Sequence, residues 1–198
     1  MKTLLSLTLA GLLLAGCSGI RSLSTDVSSY GEWPADRKPG TYAFDRLPSQ
    51  QAQAADAERL EAAVRPALEK AGFIPAAEGV APDVLVQVGE RTTRTDRLLW
   101  DDPLWWRGGF GYWRRGPWPG PAWGWSARYD NPRYDSEVAV LLRDRASGKP
   151  LFESHASYES GSIPDSTATS AMFEAALTDF PHLGINPRRV VVTVAKPQ

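Results

Sequence analysis

Apolar and polar residues repeat along this chain with two periods, one typical of strands and one typical of helices. Period-two alternation, enriched in valine, threonine and aromatic residues, predicts strands. The segments with this pattern are 20–27, 40–45, 83–88, 134–142, 151–160 and 189–194. The last of them is so apolar that we expect it to be an internal strand of a sheet.

Two segments repeat their apolar residues at helical spacing. Residues 56–71 carry an apolar stripe opposite a charged face and predict a helix. We expect a kink at Pro66, because proline lacks the N–H that would bond to the preceding turn. Residues 169–180 predict a second amphipathic helix that ends before Pro181.

The order of these elements predicts the fold. Residues 134–142 and 151–160 flank a turn-rich stretch, which predicts an antiparallel hairpin with one polar face. Segments 40–45 and 83–88 flank the first helix, which predicts a right-handed parallel crossover. Because two amphipathic helices can cover one side of a sheet, we expect an α/β fold. It would be a two-layer sandwich, with one mixed sheet of about five to six strands and two helices on one face.

Residues 98–132 interrupt this regular order. The 35 residues contain seven of the eight tryptophans, six glycines and five prolines, and they fit neither period. Glycine and proline at this density prevent regular strand pairing. We therefore expect a long irregular Trp/Gly/Pro-rich loop that leaves a single globular domain.

The N-terminal segment has the features of an export signal. Lys2 precedes an apolar run over residues 4–14, which is too short for the roughly 20 residues that span a bilayer as a helix. Leu14-Ala15-Gly16-Cys17 follows, and the whole segment resembles the signal peptide and lipobox of a bacterial lipoprotein. An ordinary cysteine after a signal that is cut elsewhere is the alternative interpretation.

This resemblance implies a domain organisation and a location. Residues 1–16 would be a cleaved signal peptide, residues 17–22 the lipidated N-terminus and a short tether, and residues 23–198 a single globular α/β domain. The bilayer would then be a partner through acylated Cys17. Ser18 follows that cysteine, and this pattern favours the inner leaflet of the outer membrane, facing the periplasm.

Charge and composition exclude several classes of function. Removal of residues 1–16 takes away Lys2 and leaves 21 basic side chains against 23 acidic ones, so we expect no nucleic-acid partner. The single cysteine permits no internal disulfide. With only His155 and His182 and no cysteine cluster, we expect neither a metal site nor a cofactor.

We do not expect an enzyme. Ser154 and His155 are neighbours on a predicted strand, so their side chains point to opposite faces and cannot form a nucleophile and base pair. Asp101 and Asp102 could imitate the paired carboxylates of a glycosidase, but adjacent acids in a loop are usually solvated. A hydrolase of unrecognised type is therefore the weakest alternative.

Three interpretations of the Trp-rich segment stay open. Its rings could pack on the sheet, dip into lipid headgroups beside the arginines, or stack on the sugar rings of an envelope glycan. The candidate contact residues are Trp105, Trp106, Phe110, Trp113, Trp118, Arg107, Arg114 and Arg115.

Five stretches of sequence resemble one family in both order and residues. They are Gly-Thr-Tyr-Ala-Phe at 40–44, Lys-Ala-Gly-Phe at 70–73, Pro-Asp-Val-Leu-Val at 82–86, Ser-Gly-Lys-Pro-Leu-Phe at 147–152, and Ala-Ala-Leu at 175–177 before Phe180-Pro181. Together they resemble the bacterial lipoproteins that carry domain of unknown function 4136. The family commonly has tryptophan where this chain has Phe152, and the resemblance implies a fold without implying an activity.

These observations predict a membrane-anchored envelope lipoprotein. Its domain would act by contact, as a non-catalytic structural or interaction module with an envelope protein or glycan as a possible partner. The main alternative is a glycan-binding module, for peptidoglycan or another polysaccharide, built on the Trp-rich segment. The oligomeric state is not predicted.

Overall fold

The computed structural model describes residues 21–95 and 132–194, which form one mixed sheet of seven strands and three helices. The expected α/β class is confirmed, but the expected five to six strands and two helices are too few. The strands are β1 (Arg21–Gly31), β2 (Thr41–Phe44), β3 (Ile74–Pro75), β4 (Val84–Thr95), β5 (Arg133–Asp144), β6 (Pro150–Ser160) and β7 (Arg188–Val194). The helices are α1 (Pro48–Ala52), α2 (Ala54–Lys70) and α3 (Ser166–Leu177).

The sheet has the strand order β3-β2-β4-β5-β6-β1-β7. β2 pairs in parallel with β3 and with β4, so the predicted parallel crossover is confirmed. The remaining pairs are antiparallel, including the predicted β5–β6 hairpin.

The prediction that the last strand is internal is wrong. Within the described residues β7 pairs with β1 alone and forms an edge of the sheet. Its valines fit a strand because their branched side chains favour extended backbone. Only Val192 of them is buried, and Val191 is 61% exposed. An apolar run therefore indicated the strand correctly but not its place in the sheet.

Helices α2 and α3 pack against each other and cover one face of the sheet. α2 continues through Pro66 and buries Leu60, Val64 and Leu68, as the apolar stripe predicts. α3 begins at Ser166 because the carboxylate of Asp165 accepts a hydrogen bond from the N–H of Ala168 at 2.8 Å. No helix was predicted over α1, because five residues give no helical period.

The two faces of the sheet differ in polarity. Val138, Val140 and Leu142 of β5 are fully buried under the helices. The alternate residues of β1, β5 and β6 lie on the other face, which we call the open face because no described element covers it. Within residues 21–95 and 132–194, no helix is long and apolar enough to span a bilayer.

Candidate functional site

Five strand termini meet at one end of the sheet, which we call the tether end. β1 starts there, because Arg21 pairs with Val194 at the end of β7. β4 ends and β5 starts there, because Thr95 pairs with Arg133. β6 ends there too, because Ser160 pairs with Tyr134, the residue after Arg133. The antiparallel arrangement of β1, β4, β5, β6 and β7 thus brings these termini together.

This arrangement locates the attachment points of two segments that lie outside the described residues. Cys17 precedes Arg21 by four residues, so its tether joins the domain at the tether end. Residues 96–131 follow Thr95 at the end of β4 and precede Pro132 and Arg133 at the start of β5, so the Trp-rich segment joins at the same end. The topology therefore attaches the lipidation candidate and the Trp-rich segment at the same end of the sheet, with β6 between β5 and β1.

A short loop between β6 and α3 also lies at the tether end. Its Ile163 has 66% of its surface exposed, although isoleucine is usually buried. The loop is fixed on both sides, because the hydroxyl of Ser160 donates to the carbonyl of Ser162 at 2.6 Å and Asp165 caps α3. The side chain of Ile163 is therefore exposed at the tether end, on a loop that hydrogen bonds hold in place.

The strand ends around this loop carry polar side chains that pair across the sheet. The hydroxyls of Thr92 and Ser136 lie 3.0 Å apart, and Arg133 forms ion pairs with Asp135 and Glu159. Residues 91–95 are exposed along their whole length. Near the tether end, residues 91–95 of β4 are therefore held by backbone pairing with β5 and by polar side-chain contacts rather than by apolar burial.

The opposite end of the sheet, which we call the locked end, is closed by aromatic side chains. Phe180 follows α3, and its ring contacts Trp33, Phe73 and Phe152 at centroid distances of 4.8, 5.2 and 5.1 Å. The indole of Trp33 donates from Nε1 to the carbonyl of Arg37 at 2.8 Å. These rings join the loop after β1 to the C-terminal ends of both long helices.

Two carboxylates hold the loops of the locked end. Asp144 accepts hydrogen bonds from the hydroxyl and N–H of Ser147 at 2.7 and 2.8 Å, and from Arg37 at 2.8 Å. These bonds, those from Ser147 first, hold the pKa of Asp144 well below its ordinary value. Asp83 accepts from the N–H and hydroxyl of Thr41, and these bonds lower its pKa.

His155 lies on the open face between two glutamates. Its Nδ1 is 2.9 Å from Glu137 and its Nε2 is 2.6 Å from Glu153. Burial lowers the pKa of His155, but the bonds to Glu153 and Glu137 outweigh it, so the net shift is upward. Only the doubly protonated ring can donate to both carboxylates. An open groove of about 320 Å³ lies beside this cluster, between Tyr30 and Glu137.

Ser154, the neighbour of His155, points to the opposite face as predicted. Its hydroxyl is buried, lies 3.1 Å from that of Ser29, and donates to the carbonyl of Ala176 at 2.7 Å. His182 is exposed after α3. Within the described residues, no group of three or more His, Cys, Asp or Glu side chains is arranged to hold a metal ion.

The other predicted site residues lie outside the described residues. They are Cys17, Trp105, Trp106, Phe110, Trp113, Trp118, Arg107, Arg114 and Arg115, together with the acidic pair Asp101 and Asp102. Sequence reasoning did not single out Ile163 or the pairing of His155 with Glu137. The hairpin register carried a signal for the second, because it brings alternate polar residues of β5 and β6 onto one face.

The fold and the open face define a class: an α/β domain whose mixed sheet, in the part of the chain that the structure describes, is covered by helices on one side. The model of the family described as "Domain of unknown function (DUF4136)" matches residues 26–182, which is most of the chain. The chain belongs to this family, as the sequence phrases indicated. No curated protein matches the chain.

The solved structures that match this chain share little sequence with it. A PDZ domain protein from Parabacteroides distasonis is 13% identical with a TM-score of 0.52, and the match covers 93% of this chain and 41% of that one. This chain therefore spans about two fifths of that protein's length. Two PelC dodecamer structures from Paraburkholderia phytofirmans are 9% and 10% identical, with TM-scores of 0.35 and 0.38. Those matches cover 80% and 79% of this chain and 95% and 96% of the PelC chains.

Proposed function

We propose that this protein is a membrane-anchored lipoprotein of the bacterial envelope that acts by contact, as a non-catalytic structural or interaction module. The observation that carries the proposal is the meeting of two attachment points at the tether end. The tether from Cys17 enters there, and the Trp-rich segment leaves and returns there. A membrane anchor at Cys17 would keep the Trp-rich segment close to the bilayer surface.

The length of the tether supports this geometry. Cys17 lies four positions before Arg21 at the start of β1, and an extended chain over that interval reaches roughly 10 to 15 Å. Each buried methylene of an acyl chain contributes about 0.8 kcal/mol, so several chains make a stable anchor. The domain would then lie within one tether length of the headgroups. Its anchor would be in the inner leaflet of the outer membrane, and the domain would face the periplasm.

Contact with lipid is the role that we favour for the Trp-rich segment. Tryptophan places an apolar ring and a polar N–H at the headgroup level, and arginine extends its charge toward the same layer. The exposed Ile163 at the tether end supports an apolar surface on that side of the domain. The proposed contact residues are Trp105, Trp106, Phe110, Trp113, Trp118, Arg107, Arg114 and Arg115.

Glycan binding is the second candidate, and the open face favours it. The groove beside Tyr30 offers an aromatic ring that is 52% exposed, next to the hydroxyls of Ser28 and Ser157. Aromatic rings with polar neighbours are the chemistry that sugar rings need. A hydrolase has less support, because both ring nitrogens of His155 are engaged by glutamates and Ser154 points away from it.

Fractionation of cells that express a Cys17→Ala variant tests the anchor. We expect the wild-type chain in the membrane fraction and the variant in the soluble envelope fraction. The matched control is Ser18→Ala, which alters the next residue and leaves the thiol in place. Equal sedimentation of wild type and Cys17→Ala with the membranes would contradict the proposal.

A second experiment separates lipid contact from glycan contact. In the Cys17→Ala chain, the five aromatic residues Trp105, Trp106, Phe110, Trp113 and Trp118 are changed to alanine. We expect at least tenfold weaker co-sedimentation with vesicles of phosphatidylethanolamine and phosphatidylglycerol, and unchanged binding to purified peptidoglycan. Loss of peptidoglycan binding in this variant, or in Tyr30→Ala on the open face, with unchanged vesicle binding would favour the glycan candidate instead.

A further inference from the structure

The two edges of the sheet differ in their protection against pairing with another strand. β3 is only two residues long and contains Pro75, which has no N–H to donate. β7 has seven residues, including four valines and no proline, and its described length shows no bulge. Short strands, prolines and bulges are the common devices that block edge pairing. The described residues supply a short strand and a proline at β3, whereas at β7 they supply only the charged side chains of Arg188 and Arg189, a further device of this kind that stands at one end of the strand.

The hydrogen bonds of the Asn186 side chain show which backbone groups of β1 point toward β7, and hence which groups of β7 point outward. Asn186 accepts from the N–H of Ser29 at 2.9 Å and donates to its carbonyl at 2.7 Å. Ser29 therefore directs both backbone groups toward the β7 side. Residues at two-residue intervals share this direction, so Val27, Thr25 and Leu23 bond to the residues opposite them on β7.

The remaining residues of β7 direct their backbone groups outward. The partners of Val27, Thr25 and Leu23 are Arg188, Val190 and Val192, respectively. It follows that Arg189, Val191 and Thr193 present their N–H and C=O groups away from β1. Their side chains lie on the open face, where Val191 is 61% exposed.

We propose that β7 pairs with β7 of a second copy of this chain, antiparallel and centred on Val191. In this register Val191 of one copy faces Val191 of the other, and Arg189 of each copy faces Thr193 of the other. The outward groups then form three two-way pairs with about six hydrogen bonds, two for each pair. The inference goes beyond the proposed function and does not depend on the anchor.

The charges of β7 fit this register. No arginine faces another arginine across the proposed pair, because Arg188 faces Val194 and Arg189 faces Thr193. Within each copy Arg188 is already held by Asp179 at 2.6 Å, and Arg189 lies 3.4 Å from Asp26. A parallel pairing of the same strands would instead bring the arginines of both copies to one end, where like charges destabilise the pair.

The pairing also permits both copies to be anchored in one bilayer. The two tether ends point in opposite directions, but their Arg21 residues lie only about 20 Å apart along the strands. Each tether reaches roughly 10 to 15 Å. Both lipid attachment points can therefore reach a bilayer that lies along one face of the paired sheets.

Oxidative cross-linking of single-cysteine variants tests the register. The full chain with Cys17→Ala serves as the background, so that each introduced thiol is the only one. A hydrogen-bonded pair places the two Cα atoms of residue 191 about 5.5 Å apart, within the range of about 4.4 to 6.8 Å that a disulfide spans. Val191→Cys should therefore cross-link to itself.

Two further variants make the test specific. Arg189→Cys alone should cross-link at least tenfold less, because the two copies of residue 189 lie about 14 Å apart. A mixture of Arg189→Cys and Thr193→Cys chains should cross-link as well as Val191→Cys does. Ile74→Cys on the β3 edge is the control, with a similarly exposed side chain, and should not cross-link.

The oligomeric state gives an independent measurement. In sedimentation equilibrium of the Cys17→Ala chain, the further change Val191→Lys should weaken dimerisation at least tenfold, because two lysines then face each other. Ile74→Lys should leave it unchanged, and the thermal unfolding of both variants shows whether they are folded. A monomer at every concentration, or equal cross-linking at positions 74, 189 and 191, would overturn the proposal. A monomer in which Val191→Cys resists thiol reagents would show instead that another part of this chain covers the edge.

Discussion

The locked end and the tether end of the sheet are built from different interactions. The difference indicates that one end stabilises the domain and the other is available for binding. At the locked end, four aromatic rings and two hydrogen-bonded carboxylates join loops that are far apart in the chain. At the tether end, exposed strand termini are held by polar pairs and present Ile163 outward. Core packing contributes most of a domain's stability, whereas exposed apolar side chains are available for contact. We therefore expect substitutions at the locked end to unfold the domain, and substitutions at the tether end to alter what it binds.

Removal of the central ring of the locked end should have the largest effect on stability. Phe180→Ala deletes contacts with three other rings and leaves a cavity, so the free energy of unfolding should fall by about 3 kcal/mol. Chemical denaturation measures this change. Ile163→Ala at the tether end is the control and should change it by less than about 0.5 kcal/mol. Equal effects of the two substitutions would remove the distinction between the ends.

Acid should weaken the locked end through its carboxylates. Because folding lowers the pKa of Asp144, its stabilisation is fully present above the unfolded pKa of 3.8 and is lost as pH falls through the lower folded pKa. Asp144→Asn should lower the thermal midpoint at pH 7 and flatten its decline in acid. The exposed Asp36 of a nearby loop offers the control, Asp36→Asn. An unchanged pH profile in Asp144→Asn would contradict this assignment.

The open face should show a smaller pH dependence of opposite sign. Folding raises the pKa of His155, so its stabilisation is present below the unfolded pKa of 6.5 and is lost as pH rises through the folded value. The difference in thermal midpoint between wild type and His155→Gln should be largest at about pH 5 to 6 and should shrink in alkali. An NMR titration of the imidazole checks the shift directly. His182, which is exposed, supplies the reference substitution His182→Gln.

Deletion of residues 104–123 should have the smallest effect on stability. The flanking residues Thr95 and Arg133 pair with each other, and loop-closure entropy changes slowly with length. We expect the free energy of unfolding to change by less than about 1 kcal/mol, measured by denaturation of the Cys17→Ala chain. A loss of cooperative unfolding would show that the tryptophan rings belong to the core.

Most helices and strands were predicted correctly, because the apolar periodicity of each element is set by residues that are close together in the sequence. The helical stripe of α2 and the alternation of β5 and β6 are repeated often enough to define their period. α1 and β3 were missed because five and two residues, respectively, are too short to show a period. β7 was placed wrongly because β-branched residues favour a strand whether it is internal or at an edge.

The candidate site needed the topology as well as the sequence. The lipobox resemblance at Cys17 is local, and it stays a prediction. The attachment of the N-terminal segment and of the Trp-rich segment at one end of the sheet depends on the directions of β1, β4 and β5, which alternation does not specify. Ile163 lies between the predicted strand over 151–160 and the predicted helix over 169–180, where its exposure had no sequence signal. The part of the site that depends on strand order therefore could not be predicted from a single sequence.

Mass spectrometry of the mature chain, purified from membranes, tests the central claim most directly. We predict an N-terminal peptide that begins at Cys17, lacks residues 1–16 and carries the added mass of a diacylglycerol and an amide-linked acyl chain. A mature N-terminus with an unmodified thiol at Cys17 would contradict the anchor, and with it the proposed position of the domain at the bilayer.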